Sequence, residues 1–151
     1  MSSFKKLTCF KAYDVRGKLG EEFNEEIAYR IGRATAQSQK AKTIVVGFDA
    51  RETSLGLALA VIKGICDAGT DVLDIGLAGT EEVYAFVSEF DGCAGIQITA
   101  SHNPINYNGM KIVGRGSKPL RNDEFQAIKG LAEVCNFIQR PHKGAVLNKK
   151  W

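Results

Sequence analysis

The strongest constraint on the fold of this chain is an alternation of short β-branched runs with stretches of helical spacing. Thr43 to Phe48 (Thr-Ile-Val-Val-Gly-Phe) predicts a buried strand. Leu55, Leu59, Ile62 and Ile65 follow at helical spacing, with Thr53 or Ser54 as cap and a close near Gly69. Val72 to Gly76 predicts a second strand, Thr80-Glu81-Glu82 opens a helix carrying Val83, Phe86 and Val87, and Gly95 to Thr99 predicts a third strand. Upstream, Asn24 caps a helix with Glu25 and Glu26 in its first turn, Ile27, Ile31 and Ala34 along one face, and Phe23 as a staple. Downstream, Met110 to Val113 is a short strand, and a last helix runs from about Asp123 to Val134 with Phe125, Ile128 and Leu131 on one face. Such strand–helix–strand units predict an α/β domain around a largely parallel sheet. Two stretches stand outside the pattern. Cys9 to Gly17 ends in a turn signal at Gly17, and the tail after Cys135 has no clear periodicity.

At 151 residues the chain is one domain's worth of sequence, against a prior of ~150 residues per domain. Apolar residues make up 44% and charged residues 25%, which excludes a disordered charged polypeptide. The net charge of +3, with both signs mixed along the chain, argues against nucleic acid or an anionic membrane as partner. Cys9, Cys66, Cys93 and Cys135 lie far apart with no Cys-x-x-Cys pair, so no metal cluster is expected. Cys66 and Cys93 sit in apolar runs and read as small buried hydrophobes. Met-Ser-Ser-Phe-Lys-Lys at the start leads into no signal-length apolar stretch, and a cytoplasmic protein is expected.

Ligands of open α/β sheets bind at the carboxyl ends of strands. Three polar segments fall in such positions: Asp49-Ala50-Arg51, Thr99 to Pro104, and Tyr13-Asp14-Val15-Arg16-Gly17. Arg16 and Arg51 carry the planar fork that suits phosphate oxygens, and Thr53 and Ser54 mark a helix N-terminus that favours an anion. Phosphorylated small molecules are the ligand class implied. The plainer alternative is a local Asp–Arg ion pair and a simple cap. No Gly-x-x-x-x-Gly-Lys-Ser/Thr and no Gly-x-Gly-x-x-Gly is present. Thr99-Ala100-Ser101-His102-Asn103-Pro104 is the sharpest segment: a serine beside a histidine has the ingredients of an activated nucleophile, and Lys111 those of a proton shuttle. Ser-His-Asn-Pro is equally a turn sequence. Ser101 lacks the Gly-x-Ser-x-Gly elbow, so a Ser-His-Asp hydrolase fits poorly.

Thr99 to Pro104 resembles the phosphoserine loop of the α-D-phosphohexomutases, the phosphoglucomutase/phosphomannomutase superfamily. The resemblance extends in the family's order through Phe10 to Gly17, Gly47 to Ser54 and Asn108-Gly109-Met110-Lys111. Within the family, Asp74 to Glu82 is similar to the bacterial phosphomannomutase branch. The resemblance implies a three-layer α/β/α domain with a mostly parallel, mixed sheet, the first of four domains. It implies that residues 1–135 form this phosphoserine domain and 136–151 a tail or linker to a missing second domain.

The resemblance also implies roles. Ser101 would carry the phosphoryl group, His102 would orient substrate, Lys111 would transfer a proton at the sugar hydroxyl, and Arg16 and Asn103 would lie at the reacting phosphate. Arg51 would support the loop rather than touch substrate. The reaction implied interconverts hexose 6-phosphate and hexose 1-phosphate, mannose above glucose, through a bisphosphate, with hexose 1,6-bisphosphate as activator. Mg²⁺ would contact the phosphate on Ser101, but the family's Asp-Gly-Asp-x-Asp-Arg metal loop is not in this sequence. The expected partners are a phosphorylated hexose and the remaining mutase domains, or self-association through an exposed interface. A stand-alone domain that binds a phosphosugar or a protein without catalysis is the alternative.

Overall fold

The computed structural model describes residues 6–90 and 93–149. The readings of the first five residues and of the last two lie outside that range. Six strands form one mixed sheet: β1 (Val15–Lys18), β2 (Thr43–Phe48), β3 (Asp71–Leu77), β4 (Cys93–Ile98), β5 (Tyr107–Val113) and β6 (Val146–Asn148), in the order β1-β5-β4-β2-β3-β6. β4, β2, β3 and β6 run parallel, while β5 is antiparallel to β4 and β1 antiparallel to β5. The helices are α1 (Glu25–Gln39), α2 (Ser54–Asp67), α3 (Thr80–Glu89) and α4 (Asn122–Val134). This is the mixed three-layer α/β/α domain expected.

The chain steps outward from β2 to β3 and then back past β2 to β4. Because strand crossovers are right-handed, that reversal puts α2 and α3 on opposite faces. One face carries the main core, in which Ile44, Val46, Ile96, Ile98, Met110 and Ile112 pack with α1, α2 and α4. On the other face Val45, Leu73 and Val113 pack with Val83, Phe86 and Val87 of α3.

Local chemistry explains the helix boundaries. The Asn24 side chain accepts from the Ile27 amide at 2.9 Å, and the Glu82 carboxylate accepts from the Gly79 amide at 2.9 Å at the start of α3. α1 and α2 approach closely because Gly32 and Gly64 face each other's backbones; a Cβ on Gly32 would lie 2.6 Å from the Val61 carbonyl. That approach decides which stripe of α2 is buried. Leu57, Ala58, Val61 and Ile65 face inward, whereas Leu55 and Leu59, which share the helical spacing, are 52% and 55% exposed. The helix is apolar nearly all round, so spacing alone did not choose the stripe.

Two strands were not legible in the sequence. Gly17, read as a turn, lies within β1 opposite Asn108. The segment expected as tail or linker contributes β6, which pairs with Val72–Asp74 of β3. It is docked mainly by polar contacts. Gln37 brackets the backbone of 136–138, Arg33 donates to the Ile138 carbonyl and stacks over Phe137, and Lys143 reaches Asp67 at 3.1 Å.

Candidate functional site

The outward and backward steps from β2 make a switch point between β2 and β4, where open α/β sheets form a ligand crevice at the strands' carboxyl ends. β2 runs out into Asp49-Ala50-Arg51 and β4 into Thr99-Ala100-Ser101. The two exits are stitched together, the Asp49 amide donating to the Ile98 carbonyl at 3.0 Å.

Ser101 is exposed and sits at φ 54°, in the left-handed region that side chains other than glycine rarely occupy. Local bonds hold it there. Its amide donates to Thr99 Oγ1 at 3.0 Å, while the Asn103 amide and side chain both donate to the Ala100 carbonyl, at 3.0 and 2.7 Å. The larger constraint comes from Arg51. Its guanidinium donates to the carbonyls of Pro104 at 2.7 Å, Tyr107 and Ser101 at 3.1 Å, and Asn103, while Nε faces Asp49 at 3.8 Å. Arg51 thus supports the loop, as the sequence resemblance implied. Arg16, by contrast, makes the simple Asp–Arg pair, with Nε 3.1 Å from Asp14 Oδ1.

Beneath the loop lies a second network that sequence reasoning missed. Asn108, fully buried, donates to Thr53 Oγ1 and Ser54 Oγ, both at 2.9 Å, and accepts from the Gly109 amide. Ser54 donates in turn to Asp49 Oδ1 at 2.5 Å. Thr53 takes the N-cap position of α2, one of the two expected, but makes no side-chain cap bond; the hydroxyls of Thr53 and Ser54 serve this network instead. The available signal was the pairing of an Asp-x-Arg segment with Asn-Gly, which spacing alone does not decode. Asn103, expected at the phosphate, has its amide nitrogen engaged inside the loop.

β1 and β5 supply the neighbouring wall. Arg16 lies across from Gly109, and Lys111 across from Gln97, so strand alternation puts Arg16 and Lys111 on one face. Gly109 permits the approach of the two strands, since a Cβ there would run into the Val15 carbonyl. Lys111 has no ion-pair or hydrogen-bond partner among the described residues and lines a hollow of about 240 Å³ with Tyr13, Asp14 and Tyr84. Burial, then the Asp14 carboxylate, raises the Tyr84 phenol above its usual value. His102 is exposed beside Ser101, and no hydrogen bond joins the two. The structure therefore brings Ser101, His102, Arg16 and Lys111 to one end of the sheet. Cys9 is no rival nucleophile, because burial pushes its thiol up to about 11.

Comparison with known proteins settles the family. The family described as "Phosphoglucomutase/phosphomannomutase, alpha/beta/alpha domain I" matches residues 7–137. The chain belongs to that family. The phosphomannomutase of Escherichia coli (strain K12) is 57% identical over 134 residues, covering 88% of this chain and 29% of that protein. A phosphomannomutase from Klebsiella pneumoniae is 57% identical over 132 residues, covering 87% of this chain and 84% of that one. Among solved structures, a phosphoglucomutase/phosphomannomutase family protein from Burkholderia thailandensis superposes with a TM-score of 0.85 at 30% identity, over 99% of this chain and 34% of that one. The chain thus spans under a third of the length of the Escherichia coli relative. No helix among the described residues is long and apolar enough to cross a membrane.

Proposed function

We propose that this chain is the phosphoryl-carrying part of a hexose-phosphate mutase, and that Ser101 is the carrier. The observation that supports this most is Ser101 itself: an exposed hydroxyl at the switch point, on a left-handed residue whose loop is held from below by Arg51. Phosphoryl transfer asks for positioning and charge stabilisation more than for new covalent chemistry.

In the forward step the bond between phosphorus and Ser101 Oγ breaks as a hexose hydroxyl oxygen forms its own bond to phosphorus. The hydroxyl's proton leaves and Ser101 Oγ regains one. Lys111 handles the proton at the sugar hydroxyl, Arg16 faces the transferring phosphate, and His102 orients substrate. The bisphosphate then turns over and returns its other phosphate to Ser101. Mannose phosphates are the favoured substrates, from the names of the relatives, and the cytoplasm the favoured location. Mg²⁺ would offset charge on the phosphoserine. Among the described residues, however, no three Asp, Glu, His or Cys gather to hold an ion. Its oxygen ligands beyond the phosphate would come from elsewhere. Tyr13 and Ile105, 92% and 74% exposed, rim the site as a surface for the remaining mutase domains.

The test replaces the matching segment of the Escherichia coli relative with this chain and measures coupled turnover of mannose 1-phosphate. Mg²⁺ and a trace of hexose bisphosphate are present. Turnover by the chimaera that vanishes with Ser101→Ala is expected. Turnover that survives the substitution overturns the assignment.

A further inference from the structure

The carbonyls of Ser101, Asn103, Pro104 and Tyr107 all converge on one guanidinium. No peptide bond in the described chain is cis. In a trans peptide the carbonyl and the following amide point in opposite directions, so each carbonyl drawn towards Arg51 turns the next amide away from it. Pro104 has no amide hydrogen, and Asn108 belongs to β5. The remaining two are the amides of His102 and Ile105. Neither donates to any atom of the described residues, and both residues are exposed. Ser101 Oγ stands next to the first of them. A fixed positive charge beneath the loop and outward amides above it favour an anion on the exposed side.

We propose that Arg51 is a positioning residue that converts the exposed face of this loop into a phosphoryl cradle, with the His102 and Ile105 amides as donors. The inference rests on the reading of Ser101 as the phosphoryl carrier and extends it to how the phosphate is held. It also gives Arg51 a role that charge alone does not fill. A lysine ammonium carries the same charge, but it is a single point and does not span four carbonyls as the planar fork does.

The test titrates the ¹⁵N-labelled 151-residue chain with inorganic phosphate and follows its amide resonances. The expected result is a saturable shift confined to the Ser101 loop and led by His102 and Ile105. Arg51→Gln is expected to weaken that response about tenfold or more, with core amides of β2 and β4 unmoved. Arg51→Lys, which keeps the charge but not the fork, is expected to fold and not to recover the phosphate response. If Arg51→Gln does not fold, Arg51→Lys carries the test alone. A wild-type chain with no shift at these two amides, or an Arg51→Lys chain with the wild-type phosphate midpoint, overturns the proposal. Ser101→Ala separates this from the functional reading: the cradle keeps its phosphate response without the hydroxyl, whereas the chimaera assay decides whether Ser101 carries phosphate.

Discussion

On one side of the sheet, Ile96 and Ile98 of β4 and Met110 and Ile112 of β5 lie fully or nearly buried with α1, α2 and α4. On the other side, the residues between them are Gly95, Gln97, Gly109 and Lys111. α3 makes its close contacts there with β2 and β4, and Lys111 is left facing an open hollow. The same two strands thus serve two ends at once. Their period of two sends every second residue to the main core; of the others, Gly95 and Gln97 are buried on the α3 side and Lys111 alone of the four opens to a hollow where a charged group stays hydrated. Stability and chemistry are separated by a single residue step along the strand.

The sharpest way to break this comparison is to cut each face in turn. Ile96→Ala is expected to cost about 3–4 kcal/mol by urea unfolding, through lost burial and the cavity left behind. Lys111→Met, on the neighbouring strand but on the open face, is expected to change stability by no more than about 0.5 kcal/mol. In the chimaera it should depress kcat far more than it raises KM. Equal stability losses from the two would end the distinction.

Gly95→Ala tests how tightly α3 is seated on its face. A Cβ at Gly95 would lie 2.6 Å from Val87 Cγ2 and 2.8 Å from Val83 Cγ1. A loss of about 1–3 kcal/mol is expected. Gly130, within α4, has nothing within 4 Å of its added Cβ, so Gly130→Ala should instead gain about 0.5–1 kcal/mol.

Ser101 offers a finer contrast, because its left-handed backbone costs about 1 kcal/mol relative to glycine. Ser101→Gly is therefore expected to be more stable than Ser101→Ala by about that amount in thermal or urea unfolding, though both lack the hydroxyl. Equal stabilities would mean that the loop relaxes and that φ at Ser101 is not imposed.

The smallest effect expected is one of pH. Burial alone would raise the Asp67 carboxyl, but hydrogen bonds from Tyr29 and Lys143 and the charge of Lys63 bring it below the usual carboxylate range. A depressed folded-state value gives stability that is present above the ordinary aspartate range and lost as pH falls through the lowered one. Asp67→Asn should flatten that acid limb and leave stability less dependent on pH there, in urea titrations repeated across acidic buffers.

Much of this was legible beforehand. The strand runs at Thr43, Val72 and Gly95 and the helices opening at Asn24, Thr80 and Asn122 follow from local propensity and capping, which neighbouring residues decide. The candidate residues Ser101, His102, Lys111 and Arg16 were legible in another way, from residue type and from the family resemblance of their segments. β6 was not legible, because Val146–Asn148 is exposed throughout and carries no alternation to read. Nor was the network of Asp49, Thr53, Ser54 and Asn108, because Asn108 lies more than fifty residues from the other three.

The sequence by itself determined the alternating elements, the α/β class and the polar segments at the strand ends. Those depend on periodicity and on contacts a few residues apart. Only the tertiary structure decided that Leu55 and Leu59 face outward and that Arg51 turns four carbonyls inward. It also left Ser101 in a conformation its own propensity disfavours. Each of those is set by partners far away in the chain, whose combined contacts outweigh the local preference.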